Sequence, residues 1–362
     1  MKKIAMAIIA LFAIAGMLLV PAGASDASDF STVTMVNSVG STVTFEEPAQ
    51  KVASLGISFT TTLLALGCSD SIVLIDTYSA YPNSGIAELE SHPAASHSYP
   101  VGNGEQIAQL LAGGMGGFDK NRDVVFIYGY SYHAGAIKAM EALGIKVVTF
   151  YPGNYSEGTE MVSDIGAIMG KSSKAAEVTQ EMRSAAASYS QKLAEGGIIE
   201  DSKVKAIYVS YSGDAARVGN VNSYSVILLK IAGGVNPADN ASMTGSALTS
   251  YGVDGSAFLQ LDPDVIFLDP NYSGTAEEFK AEKHLKAGVK VYKLNMTMNQ
   301  YGPTSMDGIE YMAKAMYPEI FGSPGDKSEK GADDFWNIFL YASAACAFLA
   351  IAVIAYVALF RR

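Results

Sequence analysis

Residues 122–129 read RDVVFIYG, and residues 263–270 read PDVIFLDP. A chain that writes nearly the same acid-led apolar strand twice needs a fold with two places for it. The echo extends on both sides. Downstream lie LGIKVVTFYP (143–152) and AGVKVYKLNM (287–296), framing the helix-compatible stretches GAIKAMEAL (135–143) and TAEEFKAEKHL (275–285). Upstream, QKVASLGIS (50–58) has a looser counterpart in SKVKAIYVS (202–210). The same strand, helix and strand in the same order in both halves predict an α/β chain of two similar lobes.

The remaining segments fill in that plan. VTMVNSVGSTVTFEEPAQKVASL (33–55) alternates with strand period and reads as a hairpin leading into a buried strand. SFTTTLLALG (58–67) predicts a helix that stops at Gly67, followed by a strand at 71–78 and, after a long loop, a helix at 105–113. The stretch 157–197 is helical in composition, is interrupted once at Gly170-Lys171-Ser172-Ser173, and separates the two copies. It predicts one long connecting helix between an N-terminal lobe at 30–156 and a C-terminal lobe at 203–321.

Both ends of the chain are apolar. Residues 1–24 have a basic start, an apolar run from Ile4 to Val20 and a small-residue site at Ala22-Gly23-Ala24, the plan of a secretory signal; the length of the run leaves an uncleaved anchor as the alternative. No cysteine follows that would accept a lipid there, since the only cysteines are Cys68 and Cys346, and no internal disulfide is expected. From Phe335 to Phe360 there is no charged residue, and Arg361-Arg362 follow. As a helix this run would span about 39 Å at ~1.5 Å per residue, enough for a ~30 Å hydrocarbon layer. Residues 335–360 therefore predict a C-terminal transmembrane anchor, with Trp336 and Tyr341 at the outer interface and 322–334 as a polar tether. The lobes would then face outward from the cytoplasmic membrane, in keeping with sequons at Asn154, Asn240, Asn271 and Asn295. Twenty-five basic against thirty-six acidic residues argue against a nucleic-acid partner.

Several segments, in order, resemble the substrate-binding proteins of ABC importers, in the class serving ferric siderophores, haem and cobalamin. VNSVGSTVTFEEPAQKVASLGISFTTTLLALGCSDSIVLID is similar to that family's opening hairpin, strand, "ALG" helix and strand. VGNGEQIAQLL followed by RDVVFIYG resembles its Glu-bearing helix and first "PDLV" strand; IGAIMGKSSKAAEV, LLKIAGGVNPADN and FLQLDPDVIFLDP match later segments, so that the resemblance covers about 33–321. It implies two α/β lobes joined by one rigid helix and a ligand held between them. It further implies an iron complex (siderophore or haem) or a corrinoid as ligand, and an ABC permease with its ATPase as partner. In that family a glutamate on each lobe meets the permease. Glu105 occupies the first position; Ser256 stands at the second, with Asp254 nearby as a substitute.

Strand ends and the loops after them are rich in tyrosine, whose flat apolar face and polar tip suit a chelated or planar organic ligand. The candidate ligand-binding residues are Ser58, Phe59, Tyr78, Tyr81, Tyr128, Tyr130 and Tyr132 in the first lobe. In the second they are Tyr211, Arg217, Tyr224, Tyr251, Tyr272 and Tyr301, with Arg217 available for an anionic group. His92, His97, His133 and His284 do not form a metal-ligand spacing, and VGNGEQI (101–107) lacks the strand–turn–helix context of a phosphate loop. No GxSxG, HExxH or carboxylate-pair motif occurs, so neither an enzyme nor a bound cofactor is expected. A surface sensor or adhesion protein on the same scaffold stays open beside transport, its best support being Ser256.

Overall fold

The computed structural model describes residues 30–80, 96–97, 103–212, 215–240, 249–252, 258 and 260–324. The expected signal (1–24), anchor (335–360) and most of the tether lie outside these residues, as do Tyr81, Asp254 and Ser256. Among the described residues no helix is long and apolar enough to cross a membrane.

The chain opens with a hairpin, β1 (Val33–Val36) and β2 (Thr42–Phe45), paired antiparallel. It continues through β3 (Val52–Leu55), α1 (Ile57–Ala65), β4 (Ile72–Ile75), β5 (Ser96–His97), α2 (Gly104–Ala112), β6 (Val124–Tyr128), α3 (Ala134–Ala142) and β7 (Lys146–Phe150). These strands form a five-stranded sheet in the order β5-β4-β3-β6-β7, parallel throughout. A parallel sheet needs cover on both faces, and successive residues supply it. Val52, Val124 and Phe126 pack on one side with α1, whereas Ala53, Leu55, Val125 and Ile127 pack on the other with α2 and α3.

The connecting stretch differs from the single helix expected. It folds as α4 (Tyr155–Ile168) and α5 (Ser172–Glu195), which pack on one another. Gly170, at φ +65°, turns the chain between them, and a Cβ there would lie 2.9 Å from Pro48. The chain passes from one lobe to the other along α5. Ala175, Val178 and Met182 belong to the core of the first lobe, and Leu193, about 27 Å along the helix from Ala175 at ~1.5 Å per residue, to that of the second.

The second lobe comprises β8 (Ala206–Ser212), β9 (Ala215–Gly219), α6 (Tyr224–Ile231), β10 (Ser250–Gly252), β11 (Val265–Leu268), α7 (Ala276–Glu282), β12 (Lys290–Lys293), α8 (Ser305–Met316) and α9 (Pro318–Phe321). Its sheet runs β10-β9-β8-β11-β12. The trio β8, β11 and β12 is parallel, as β3, β6 and β7 are, but β9 returns antiparallel to β8 where the first lobe has a crossover to β4. The lobes are thus similar in three strands and different at one edge.

The acid that leads each repeated strand does the same work in both lobes. Asp123 is fully buried and accepts the backbone N–H groups of Gln50 and Lys51 at 3.0 Å, immediately before β3. Asp264 accepts the N–H of Lys205 at 3.0 Å, immediately before β8. Each carboxylate locks the entry of the neighbouring strand, so the registers Val52↔Val124 and Ala206↔Val265 begin one residue later in both sheets.

Candidate functional site

The carboxyl ends of the parallel strands of both sheets open on one cleft between the lobes, where open α/β sheets bind ligands. Its volume is about 210 Å³, and its lining comes from both sides. The first lobe provides Ile57, Asp76, Tyr78 and Tyr128; the second provides Asp269, Pro270, Asn271, Met296, Asn299 and Gln300. The two copies of the repeated strand therefore end at the same place, RDVVFIY at Tyr128 and PDVIFLDP at Asp269-Pro270.

Gly56 lets the first wall form. A Cβ there would lie 2.6 Å from Tyr128 Cε2 and 2.8 Å from Phe59 Cε2. Phe59 is fully buried, 4.6 Å from Tyr128 between ring centroids, and holds that ring from behind. The Tyr128 hydroxyl donates to Ser58 Oγ at 2.6 Å. Burial first, then the neighbouring Tyr130, push the Tyr128 hydroxyl well above its ordinary pKa, so it stays a phenol. His133 Nδ1 lies 2.9 Å from the Tyr128 carbonyl oxygen; because a carbonyl only accepts, Nδ1 carries the proton.

From Ser58 the hydrogen bonds cross into the second lobe. Ser58 donates to Gln300 Oε1 at 3.5 Å, Gln300 Nε2 to Asn299 Oδ1 at 3.3 Å, and Asn299 Nδ2 to the Tyr208 hydroxyl at 2.9 Å. Tyr208 in turn donates to Asp269, which also accepts the Asn271 N–H at 2.7 Å. The donors all point one way, from Tyr128 to the Asp269 carboxylate. On the other side Asp76, 3 % exposed, accepts from the Ser79 hydroxyl and amide. Burial pushes the Asp76 carboxyl above its ordinary range, with the Ser79 bonds acting against that.

The other sequence-derived candidates divide into three groups. Tyr130, Tyr132, Tyr224 and Tyr301 extend an aromatic wall beside the cleft. Tyr130 is 5.3 Å from Tyr128, stacks on Tyr132 at 5.1 Å and meets Tyr151 edge-on at 5.1 Å. Tyr301 lies 6.3 Å from Tyr128 and 4.2 Å from Tyr224, and burial pushes its hydroxyl up to about 12. Tyr132 is 58 % exposed and Tyr151 53 %, which marks the mouth of the wall. A second group sits away from the cleft lining. Tyr211 stacks on Tyr272 at 5.0 Å around the outer core of the second lobe, Tyr251 pairs with Val218 in the sheet, and Arg217 donates to Ser250 Oγ at 2.8 Å and to the Ser250 carbonyl at 3.2 Å. Arg217 is thus tied to β10 through Ser250. The third group, Tyr81 and Asp254, lies outside the described residues. Glu105 is exposed in the first turn of α2.

Reading the sequence for tyrosines missed Asp76, Asp269 and, apart from Tyr301, the segment 294–304. The acids carried a signal: each directly follows a four-residue apolar strand, IVLI before Asp76 and VIFL before Asp269. The segment carried none, being aperiodic. Among the described residues no three of His, Cys, Asp and Glu come together as metal ligands.

No protein-family profile matches the chain. It is 24 % identical over 305 residues to an uncharacterized ABC transporter substrate-binding lipoprotein, YvrC, of Bacillus subtilis, covering 80 % of this chain and 87 % of the relative. Among solved structures it is similar to Helicobacter pylori CeuE with bound Ni(II), at a TM-score of 0.64 and 17 % identity, over 80 % of this chain and 90 % of that one. It is also similar to an ABC-type Fe3+-hydroxamate transport system structure from Saccharomonospora viridis, at 0.57 and 20 %, over 80 % and 99 %. The resemblance to substrate-binding proteins of ABC importers is thus shown, and the two-lobed fold with it.

Proposed function

We propose that this chain is a binding protein that captures a metal complex (a ferric siderophore or haem) or a corrinoid outside the cytoplasm and delivers it to an ABC permease with its ATPase. The observation that carries this reading is the inter-lobe cleft itself. Strands of both lobes end at it, a tyrosine wall flanks it, and its polar side chains are held by a hydrogen-bonded chain rather than left to solvent. The Bacillus relative is named a substrate-binding lipoprotein, and the Saccharomonospora structure belongs to an Fe3+-hydroxamate system, which supports the same assignment. The apolar run 335–360 is the proposed membrane tether. Glu105 and Asp254 are the proposed permease contacts.

A thermal-shift series on the purified full-length protein tests the reading, with ferric siderophores, haem, cobalamin and its precursors, molybdate and zinc. A ligand at ~100 times its dissociation constant adds ~2.7 kcal/mol of stability, read as a raised midpoint. A shift with one compound class supports capture. No shift with any, from folded and ligand-free protein, rejects capture of these compounds and favours a surface sensor or adhesion protein, the reading that Ser256 in place of the second docking glutamate supports.

A further inference from the structure

Resting on the capture reading of the cleft, we infer that its ligand is cationic: a positively charged complex or organic cation seated between Asp76 and Asp269, with anionic complexes turned away. The two carboxylates reach the cleft from opposite lobes, and among the described residues its lining contains no lysine, arginine or histidine. Each acid is fixed in place by hydrogen bonds, Asp76 by Ser79 from its own loop and Asp269 by Tyr208 on β8 and the Asn271 amide.

Cations of the second lobe that might serve the cleft are committed elsewhere. Arg217 is held by Ser250, Lys293 donates to the Tyr272 carbonyl at 2.6 Å, and Lys283 pairs with Glu282. The whole chain carries −11. A concave site bearing one sign of charge between low-dielectric walls focuses that field on whatever enters.

The polar groups agree. The chain of donors that begins at Tyr128 spends each hydroxyl proton inward, toward Asp269, so Tyr128 presents lone pairs, not a proton, to the cleft. With the two carboxylates, this puts acceptors on both walls of the cleft, which suits a ligand that brings donors and positive charge. The adjoining rings of Tyr128, Tyr130, Tyr132 and Tyr151 offer the π faces on which cations rest.

The test is titration calorimetry on the full-length protein in uncharged detergent, with five probes: cationic ferrioxamine B, neutral ferrichrome, anionic ferric enterobactin, cationic aquocobinamide and anionic haem. The expected result is that a cationic probe binds tightest and weakens as ionic strength rises. Asp269→Asn and Asp76→Asn should each lower its affinity about tenfold while changing that of the neutral probe less than about threefold. If either variant fails to fold, the charge ranking and salt dependence of the unmodified protein decide the matter. An anionic probe bound as tightly as any cationic one overturns the charge assignment and leaves capture standing. No binding of any of the five overturns the capture reading, and this inference with it.

Discussion

Replacing Gly56 with alanine tests whether the first wall of the cleft depends on a close approach. The backbone there is extended, at φ 169°, a conformation any residue adopts, so the effect is steric alone. The new methyl would meet Tyr128 Cε2 at 2.6 Å and Phe59 Cε2 at 2.8 Å, well inside contact distance. Phe59 has nowhere to go, being fully buried with Phe150 at 5.6 Å and Phe126 at 6.4 Å. The Tyr128 ring must therefore swing toward the cleft, which breaks its 2.6 Å bond to Ser58 and narrows the space for a ligand. Overpacking of this kind costs ~1–3 kcal/mol and the lost hydrogen bond ~1 kcal/mol more. At ~2–4 °C per kcal/mol for a chain of this size, the thermal midpoint should fall by roughly 4–16 °C. Ligand affinity should fall too. Calorimetry on Gly56→Ala beside Gly135→Ala makes the comparison, because Gly135 is helical with nothing within 4 Å of its missing Cβ and should gain ~0.5–1 kcal/mol. A Gly56→Ala midpoint equal to or above that of the parent would refute the reasoning.

Three further substitutions probe the frame around the site. Burial pushes the Asp123 carboxyl up, but its bonds from Arg122 and from the amides of Asp119, Lys51 and Gln50 outweigh this and hold it below the ordinary carboxylate range. Its contribution is therefore complete above the unfolded pKa of ~3.9 and is lost as pH falls through the lower folded value. Asp123→Asn should cost ~2–3 kcal/mol at neutral pH in urea unfolding, with the gap to the parent closing only under acid. The Tyr317 hydroxyl donates to the Gly233 carbonyl at 2.8 Å and accepts the Val204 N–H at 3.0 Å, so Tyr317→Phe should lose ~1–3 kcal/mol with ligand affinity unchanged. Leu193→Ala removes the side chain by which α5 enters the second core; chemical denaturation should show a loss of ~2–4 kcal/mol.

Much of the architecture is legible in the sequence because it is periodic. The repeated strands, the helices between them and the opening hairpin all show as patterns of apolar residues, and the tyrosines near strand ends stand out by type. The antiparallel strand β9 does not show at all, because AARVG holds a single β-branched residue and no alternation that would mark it as a strand. The split of the connecting stretch was visible at Gly170 as an interruption, but its meaning depends on α4 packing back along α5, which no local pattern encodes. The site was half legible. Tyr78 and Tyr128 could be picked out as aromatic residues at strand ends. Asp76 and Asp269 are marked by the apolar strands before them, but Asn299 and Gln300 gain their place from the docking of the lobes, where Met296, Tyr301 and Met306 pack against the first core.

Residues 294–304 leave the second lobe at β12, contribute Met296 to the core of the first, and return to the second at α8. On the way Gly302, at φ +94°, comes so close to α1 that a Cβ would lie 2.8 Å from Thr62 Oγ1. The halves have in effect exchanged a part. A chain cut near residue 200 would leave the N-terminal piece without its borrowed methionine, its apolar flank open, and the C-terminal piece with a loop that has nothing to seal. Neither should survive alone as a monomer, but the two made together should find each other, since each holds the stopper for the other. The written-twice strand thus describes how the molecule is laid out and not how it comes apart.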